Sequence, residues 1–414
     1  MGTGARRHYG GGRRARRLRS MSSALAIALT SVLALATAAP APVLPVPARA
    51  AGESARQLVL PRPTGPERIG TVSLHLVDRS RPDPWVPSES AREIMVQLWY
   101  PASDVRRHPR APWVSPGVAE RINPPGSPVI LPVTHAYADA PVRPGRHPVV
   151  LYSPGFGLER TASTALVEEL ASRGYIVVTI DHTHDAQRVE FPGGRIATHA
   201  IPPPTGPDDD GAQVINTARE ARVADTRFTL DRLTAINRGH NPDEERRRLP
   251  RGLKGALDLA RIGMFGHSLG GATAAETMYE DRRVRAGLNM DGSLSGAVIA
   301  GGLRRPFALM SSDGHGRADD ESWLAIWPHL RGPRYDLQLA GSGHMSFTDL
   351  QVLLPQAGLP AEDLVPGYGT INGSRSITVQ RAYVLAFFDR YLRNGNGHLL
   401  AGPSRRYPEV RFTP

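Results

Sequence analysis

The chain has no cysteine among its 414 residues, which excludes disulfides, thiolate catalysis and cysteine-ligated zinc. Stability must therefore come from a packed core. Lysine is nearly absent, with Lys254 standing alone in a basic total of 50. This reads as a coding bias towards arginine rather than selection for phosphate contacts. Acidic residues are missing from the first 50 positions, which hold eight arginines. Setting that segment aside leaves 42 basic against 39 acidic residues, and the formal net charge falls from +11 to +3. The positive surplus a nucleic-acid surface would need is thus mostly in the leader, so nucleic-acid binding is not expected. No internal repeat is visible.

What the leader does contain is the pattern of an export signal. Arg6 to Ser20 supplies a positive region, Met21 to Ala39 an apolar run, and Ala48-Arg49-Ala50 a small-x-small cleavage site before Ala51. Ala36-Thr37-Ala38 offers a second site, and Arg16-Arg17 is compatible with twin-arginine export. A retained anchor is the alternative, since the apolar run approaches spanning length. The proline-rich tract APAPVLPVPARA favours a processed tail and a secreted product. Residues 51–414 are then expected to form a single domain.

Strand-like and helix-like segments alternate through that domain. Thr71 to Val77 and Ile94 to Tyr100 suggest an antiparallel pair at a sheet edge. Residues 101–147 carry ten prolines and are read as an ordered loop insertion without regular elements. Pro148 to Ser153, Tyr175 to Ile180, Arg261 to Phe265, Ala286 to Met290, Phe307 to Ser311 and Tyr335 to Leu339 read as strands. Helices are expected over 161–173, 212–237, 269–279, 323–330 and 376–393, with a second loop insertion at 182–211. This alternation implies an α/β fold, a mostly parallel central sheet with helices on both faces. In such sheets ligands bind outside the carboxyl ends of the strands.

One motif sits at such an end. GHSLG, Gly266 to Gly270, places Ser268 in a G-x-S-x-G turn between a strand and a helix. The turn strains the serine backbone, exposes its hydroxyl above the sheet and aims the next amide, that of Leu269, at the same point. A neutral serine is a weak nucleophile and needs a base and an orienting acid. In α/β hydrolases the chain order is serine, acid, histidine. His344 follows the last expected sheet strand in a Gly-rich loop and is the expected base, while His315, His329 and His398 fit less well. His267 is assigned to packing. Asp291 and Asp313 each end a strand, and topology alone slightly favours Asp313. The loop SPGFG after the first parallel strand is expected to supply a second oxyanion donor through the Phe156 amide.

The chain resembles the platelet-activating-factor acetylhydrolase family (the serine-esterase type II branch) and related secreted bacterial lipases and esterases. The resemblance is carried by DRSRPDPW, REIMVQLWYPA, LYSPGFG, GHSLGGAT and GSGHMSFTDL, which span nearly the whole chain after the leader. It implies an α/β-hydrolase fold and a metal-independent ester hydrolase acting on short or oxidised acyl chains of phospholipids. It also implies Asp291 as the acid, because that residue meets the family spacing from the serine. The nucleophile motif here reads Ser-Leu-Gly-Gly and the histidine spacing differs slightly from that of the animal enzymes, which leaves the phospholipid substrate open.

Weaker signals remain. His182 and His184 are read as rim or packing residues rather than metal ligands, and no cofactor or catalytic metal is expected. Asp208 to Asp210 reads as a solvated loop rather than a calcium site, within a Pro202 to Gly211 segment that could shape access. The apolar stretch Val352 to Pro360 is open to either burial or transient contact with a lipid surface. The expected activity is a secreted serine esterase, acetylhydrolase-like on short-chain or phospholipid esters. Lipase or polyester-cleaving esterase is the alternative within the class, and a non-catalytic exported binding protein the alternative outside it. Oligomeric state is not encoded in any motif.

Overall fold

The computed structural model describes residues 55–203 and 211–414. The expected export leader, its expected cleavage sites and Asp208 to Asp210 lie outside the described residues. Eleven strands form one sheet: β1 (Arg68–Asp78), β2 (Arg92–Ala102), β3 (Arg110–Pro112), β4 (Val133–Ala138), β5 (His147–Ser153), β6 (Ile176–Asp181), β7 (Leu257–His267), β8 (Val284–Met290), β9 (Phe307–Ser311), β10 (Arg334–Leu339) and β11 (Val410–Phe412). Their spatial order is β11-β10-β9-β8-β7-β5-β6-β2-β1-β4-β3. The run from β6 through β5 and β7 to β10 is parallel throughout. The expected α/β architecture is therefore present.

The strands read as continuous apolar runs because both sheet faces are covered. Val149 and Leu151 of β5 point into one core layer, with Leu230, Leu233, Ala272 and Met278 from the helices Ala212–Arg238 and Leu269–Glu280. Val150 and Tyr152, one residue out of phase, point into the other. There they meet Leu166 and Leu170 of the helix Thr164–Ser172 and Val384 and Phe388 of the helix Gly373–Leu392. Phe388 is fully buried, and its truncation to alanine should cost about 3–5 kcal/mol.

Several expectations are corrected. The β1/β2 pair is antiparallel as expected, with Val72 opposite Leu98, but it is not the sheet edge. The proline-rich segment 101–147, expected to lack regular elements, adds β3 and β4 outside it and the short helix Pro116–Ile122. Pro112 sits in the outermost strand, where a missing amide N–H costs no ladder bond. Within the expected loop insertion, Arg188–Glu190 pairs with Ile196–Thr198 in a small hairpin. The helix expected at 323–330 starts at Glu321, capped by the Asp320 carboxylate on the amides of Ser322 and Trp323, and its last turn narrows to a 3-10 form over Trp327–His329. Helices Leu350–Gln356 and Ala361–Tyr368 and the antiparallel strand β11 have no counterpart in the sequence reading. Val352 and Leu353 pack with Leu58, Leu60 and Ile377, so that apolar stretch is largely buried. Among the described residues no helix is long and apolar enough to cross a membrane.

Candidate active site

Ser268 stands between the carboxyl end of β7 and the helix Leu269–Glu280, with φ 54° and ψ −125°. A side chain pays for positive φ in steric strain, and the surroundings here enforce it. The Ser268 amide donates to the Met290 carbonyl at 2.8 Å. A Cβ on Gly266 would lie 2.1 Å from the Gly270 carbonyl oxygen, and one on Gly270 would lie 2.0 Å from that of Ser153. Both glycines of the motif are therefore required by close backbone approach, as the turn demands.

Asp291 begins the turn after β8, also at positive φ (59°), and the turn is pinned by Asn289, whose side chain bonds both the amide and the carbonyl of Gly292. Its carboxylate is buried and receives four donors. Oδ2 accepts from His344 Nδ1 at 2.7 Å and from Ser312 Oγ at 3.0 Å. Oδ1 accepts from the Ser312 amide at 2.6 Å and from His315 Nδ1 at 2.7 Å. Burial alone would raise this carboxyl, but the bonds from His315 and His344 outweigh it and hold it well below the usual carboxylate range. Because His344 donates from Nδ1, its Nε2 is left as the basic nitrogen. Asp313, the alternative acid, lies elsewhere: it is exposed, accepts from the Gly341 amide at 2.7 Å and approaches Arg411.

His267 does more than fill space. Its Nε2 donates to the His344 carbonyl at 2.9 Å, and its ring lies 4.6 Å from that of His344. Burial and the neighbouring His344 imidazole push it down to about 3, so it is neutral and Nδ1 carries a lone pair. That nitrogen lies 3.0 Å from where a Gly155 side chain would begin, so the His344 loop and the SPGFG loop meet through His267.

The SPGFG loop carries Phe156, whose ring stacks edge-on against His199 at 5.6 Å. Neither the Phe156 nor the Leu269 amide has an acceptor among the described loop hydrogen bonds. The loop is gripped from the helix Ala212–Arg238. Arg222 donates to the carbonyls of Pro154 at 2.5 Å and Gly155 at 3.0 Å, and forms a bidentate pair with Asp185. Asp185 in turn accepts from the Gly157 amide at 3.0 Å. Both Arg222 and Asp185 are fully buried.

Behind the loop lies a second layer. His182 bridges Ser153 Oγ at 2.9 Å and Asp225 at 2.9 Å. Burial pushes its imidazole down, so it is a neutral packing residue rather than a ligand. Asp225 also pairs with Arg92 and Arg81. His184 bonds the Thr198 carbonyl and Glu89. With Asp83 and Glu89 it is the only group of three potential metal-ligating side chains within 4.8 Å among the described residues, and Asp83 is already committed to Arg92. The sequence reading did not single out Arg222, Asp185, Asn289 or the bond of His315 to the acid.

Next to the loop is an apolar cavity of about 340 Å³, lined by Trp113, Val118, Leu158, Leu353, Leu354 and Tyr368 among others. It is bounded by Gly157 and Leu158 on one side and by Thr348 and Leu350, just after His344, on the other. Glu159 also faces it, and burial together with the Asp181 charge pushes its carboxyl up to about 7.

Comparison with known proteins bears on the family and the activity. The model of the family "Platelet-activating factor acetylhydrolase, isoform II" matches residues 131–397. A protein of Arthroderma benhamiae, described as "Probable 1-alkyl-2-acetylglycerophosphocholine esterase", is 29% identical over 86% of this chain and 93% of its own length. The platelet-activating factor acetylhydrolase of Cavia porcellus is 24% identical over 61% of this chain and 60% of its own. Among solved structures, a ferulic acid esterase from Streptomyces cinnamoneus superposes with a TM-score of 0.73 at 39% identity, covering 86% of this chain and 99% of that one. The chain belongs to the platelet-activating factor acetylhydrolase isoform II family and is a carboxylic ester hydrolase of the α/β-hydrolase fold.

Proposed function

We propose that this enzyme hydrolyses short-acyl esters through a Ser268–His344–Asp291 triad and an acyl-enzyme. His344 Nε2 takes the Ser268 proton as Oγ attacks the ester carbonyl, then delivers it to the leaving alkoxide. The amides of Leu269 and Phe156 hold the oxyanion. Water activated by His344 then attacks the acyl-enzyme and releases the acid. The observation that carries the reading is the 2.7 Å bond from His344 Nδ1 to Asp291, made beside a serine held at positive φ. No step calls for a metal.

The family and the Arthroderma relative favour an acetylated, phospholipid-like substrate, with the apolar cavity receiving an acyl or alkyl chain. A second reading, an aryl-acyl ester, is favoured by the 39% identity to the ferulic acid esterase and by Trp113 and Tyr368 in the cavity lining. Export through the leader, with cleavage after Ala50, completes the proposal. The test is the initial rate on p-nitrophenyl esters from acetate to palmitate and on methyl ferulate, with Ser268→Ala as blank. Loss of the nucleophile should cost about 10⁶ in turnover. Activity confined to short chains supports the acetylhydrolase reading, and preference for ferulate supports the second. A long-chain maximum indicates a lipase, and no rate above the blank overturns the enzyme mechanism.

A further inference from the structure

His315 makes two bonds that a neutral imidazole cannot make together. Nδ1 meets Asp291 Oδ1 at 2.7 Å and Nε2 meets Asp320 Oδ2 at 2.9 Å. Carboxylates only accept, and a neutral ring has one N–H, so a neutral His315 would press a lone pair against one oxygen. Both bonds are satisfied only by the imidazolium.

We infer that His315 is a positioning residue of the triad, a fixed cation that grips the Asp291 oxygen His344 leaves free and tempers the basicity Asp291 lends to His344. The inference rests on the triad reading above. Two imidazoles thus share one carboxylate, one through each oxygen, and the carboxylate cannot rotate away from His344 without breaking the His315 bond. The charge matters as much as the grip. A lone buried carboxylate favours the protonated form of an imidazole bonded to it. A neighbouring cation offsets part of that pull.

The surroundings favour the charged ring. Burial works against it, but the bonds and charges of Asp291 and Asp320 raise His315 to about 10. Asp336 of β10 adds a further carboxylate, itself paired with Arg317, while the ring rests against Trp323 at 4.8 Å. His344 faces it across Asp291. Asp320 is held by the hydroxyls of Ser293 and Ser322, so the second anchor is itself fixed.

The test is the pH profile of kcat/KM on p-nitrophenyl acetate for the full chain, whose acid limb reports the free-enzyme base. In His315→Gln the limb should move up by about one unit, because the offsetting charge is gone. His315→Lys, which restores a cation, should bring it back towards wild type. An unmoved limb in His315→Gln overturns the inference, as does an equal shift in both variants. If neither variant folds, ¹⁵N spectra of the wild-type histidines decide: an imidazolium contacting Asp291 and persisting at pH 8 supports the inference, and a neutral ring there overturns it. His344→Gln is the separate control. If that variant keeps wild-type activity, the triad reading fails. If it is inactive while the His315→Gln limb stays put, only the role of His315 fails.

Discussion

The acid–base side of the site and the oxyanion side are supported from very different distances along the chain. Asp291 is held by Asn289, Ser312 and His315, all within 24 residues of it, at the ends of two adjacent parallel strands. The SPGFG loop is held by Arg222, 67 residues from Gly155, and backed by Asp225, whose partner Arg92 is 133 residues away. The chemistry of the supports differs too. One backbone amide, one hydroxyl and one imidazolium fix the acid, whereas a buried arginine–carboxylate cluster fixes the loop. Ion pairs in a dry interior bind their partners strongly but leave an uncompensated charge when either member is lost. The first side should therefore fail by losing chemistry, and the second by losing chemistry and stability together.

The sharpest way to test that contrast is Asp291→Asn. The asparagine keeps the shape but can present an N–H to His344, which favours the wrong tautomer. Turnover should fall by roughly 10⁴, with a loss of stability smaller than that of a broken arginine cluster because Asp320 still holds His315. A protein that unfolds instead would place Asp291 among the structural residues.

On the other side, Arg222→Met removes both bonds to the loop carbonyls and leaves Asp185 without its arginine. We expect kcat to fall by about 10²–10³, as for a lost oxyanion donor, with KM little changed. Stability should fall by about 3–5 kcal/mol, measured by denaturant unfolding. The double variant Arg222→Met with Asp185→Leu should recover stability but not turnover. Recovery of both would mean that the cluster does not position the loop.

A smaller effect follows from His315. Its folded-state pKa, raised from 6.5 to about 10, adds stability that is fully present below pH 6.5 and is lost as pH rises towards 10. The melting temperature should fall across that window, and His315→Gln should flatten the slope by about 2–4 °C. The slope should not vanish, because His75, between Glu93 and Glu245, is also raised and contributes in the same range. An unchanged slope would mean that His315 carries no extra proton in the folded state.

The same contrast explains what was legible in the sequence. G-x-S-x-G, the Gly-rich loop around His344 and the apolar strands are local patterns, and the structure sets Ser268 and Asp291 just past the carboxyl ends of the adjacent central strands β7 and β8, with His344 bonded to Asp291. Arg222 is hidden in a helical stretch whose neighbours Val223, Thr226 and Leu230 are also buried, and its position on the core-facing side was the available signal. Its meaning depends on Asp185 and Pro154, which no local period connects to it. His315 fits the role of base less well in the sequence, and no local pattern there announces its bond to Asp291. The proline count hid β3 and β4 because an edge strand tolerates proline where a central one does not.

The smallest expected effect belongs to Asp313, the residue that strand topology alone favoured as the acid. Its two oxygens meet the Gly341 amide and Arg411, not a histidine, and it is exposed where Asp291 is buried. Asparagine can still accept from the Gly341 amide through its carbonyl oxygen, and the Arg411 contact is a solvent-facing pair worth at most about 1 kcal/mol. Asp313→Asn should therefore keep kcat within about threefold of wild type and stability within about 0.5 kcal/mol. The loop it braces does lead to His344, so a modest loss in kcat alone would be understood as slack in that loop. A collapse in Asp313→Asn, with Asp291→Asn near wild type, would exchange the two roles. The carboxylate bonded to His344 would then not be the one the reaction uses.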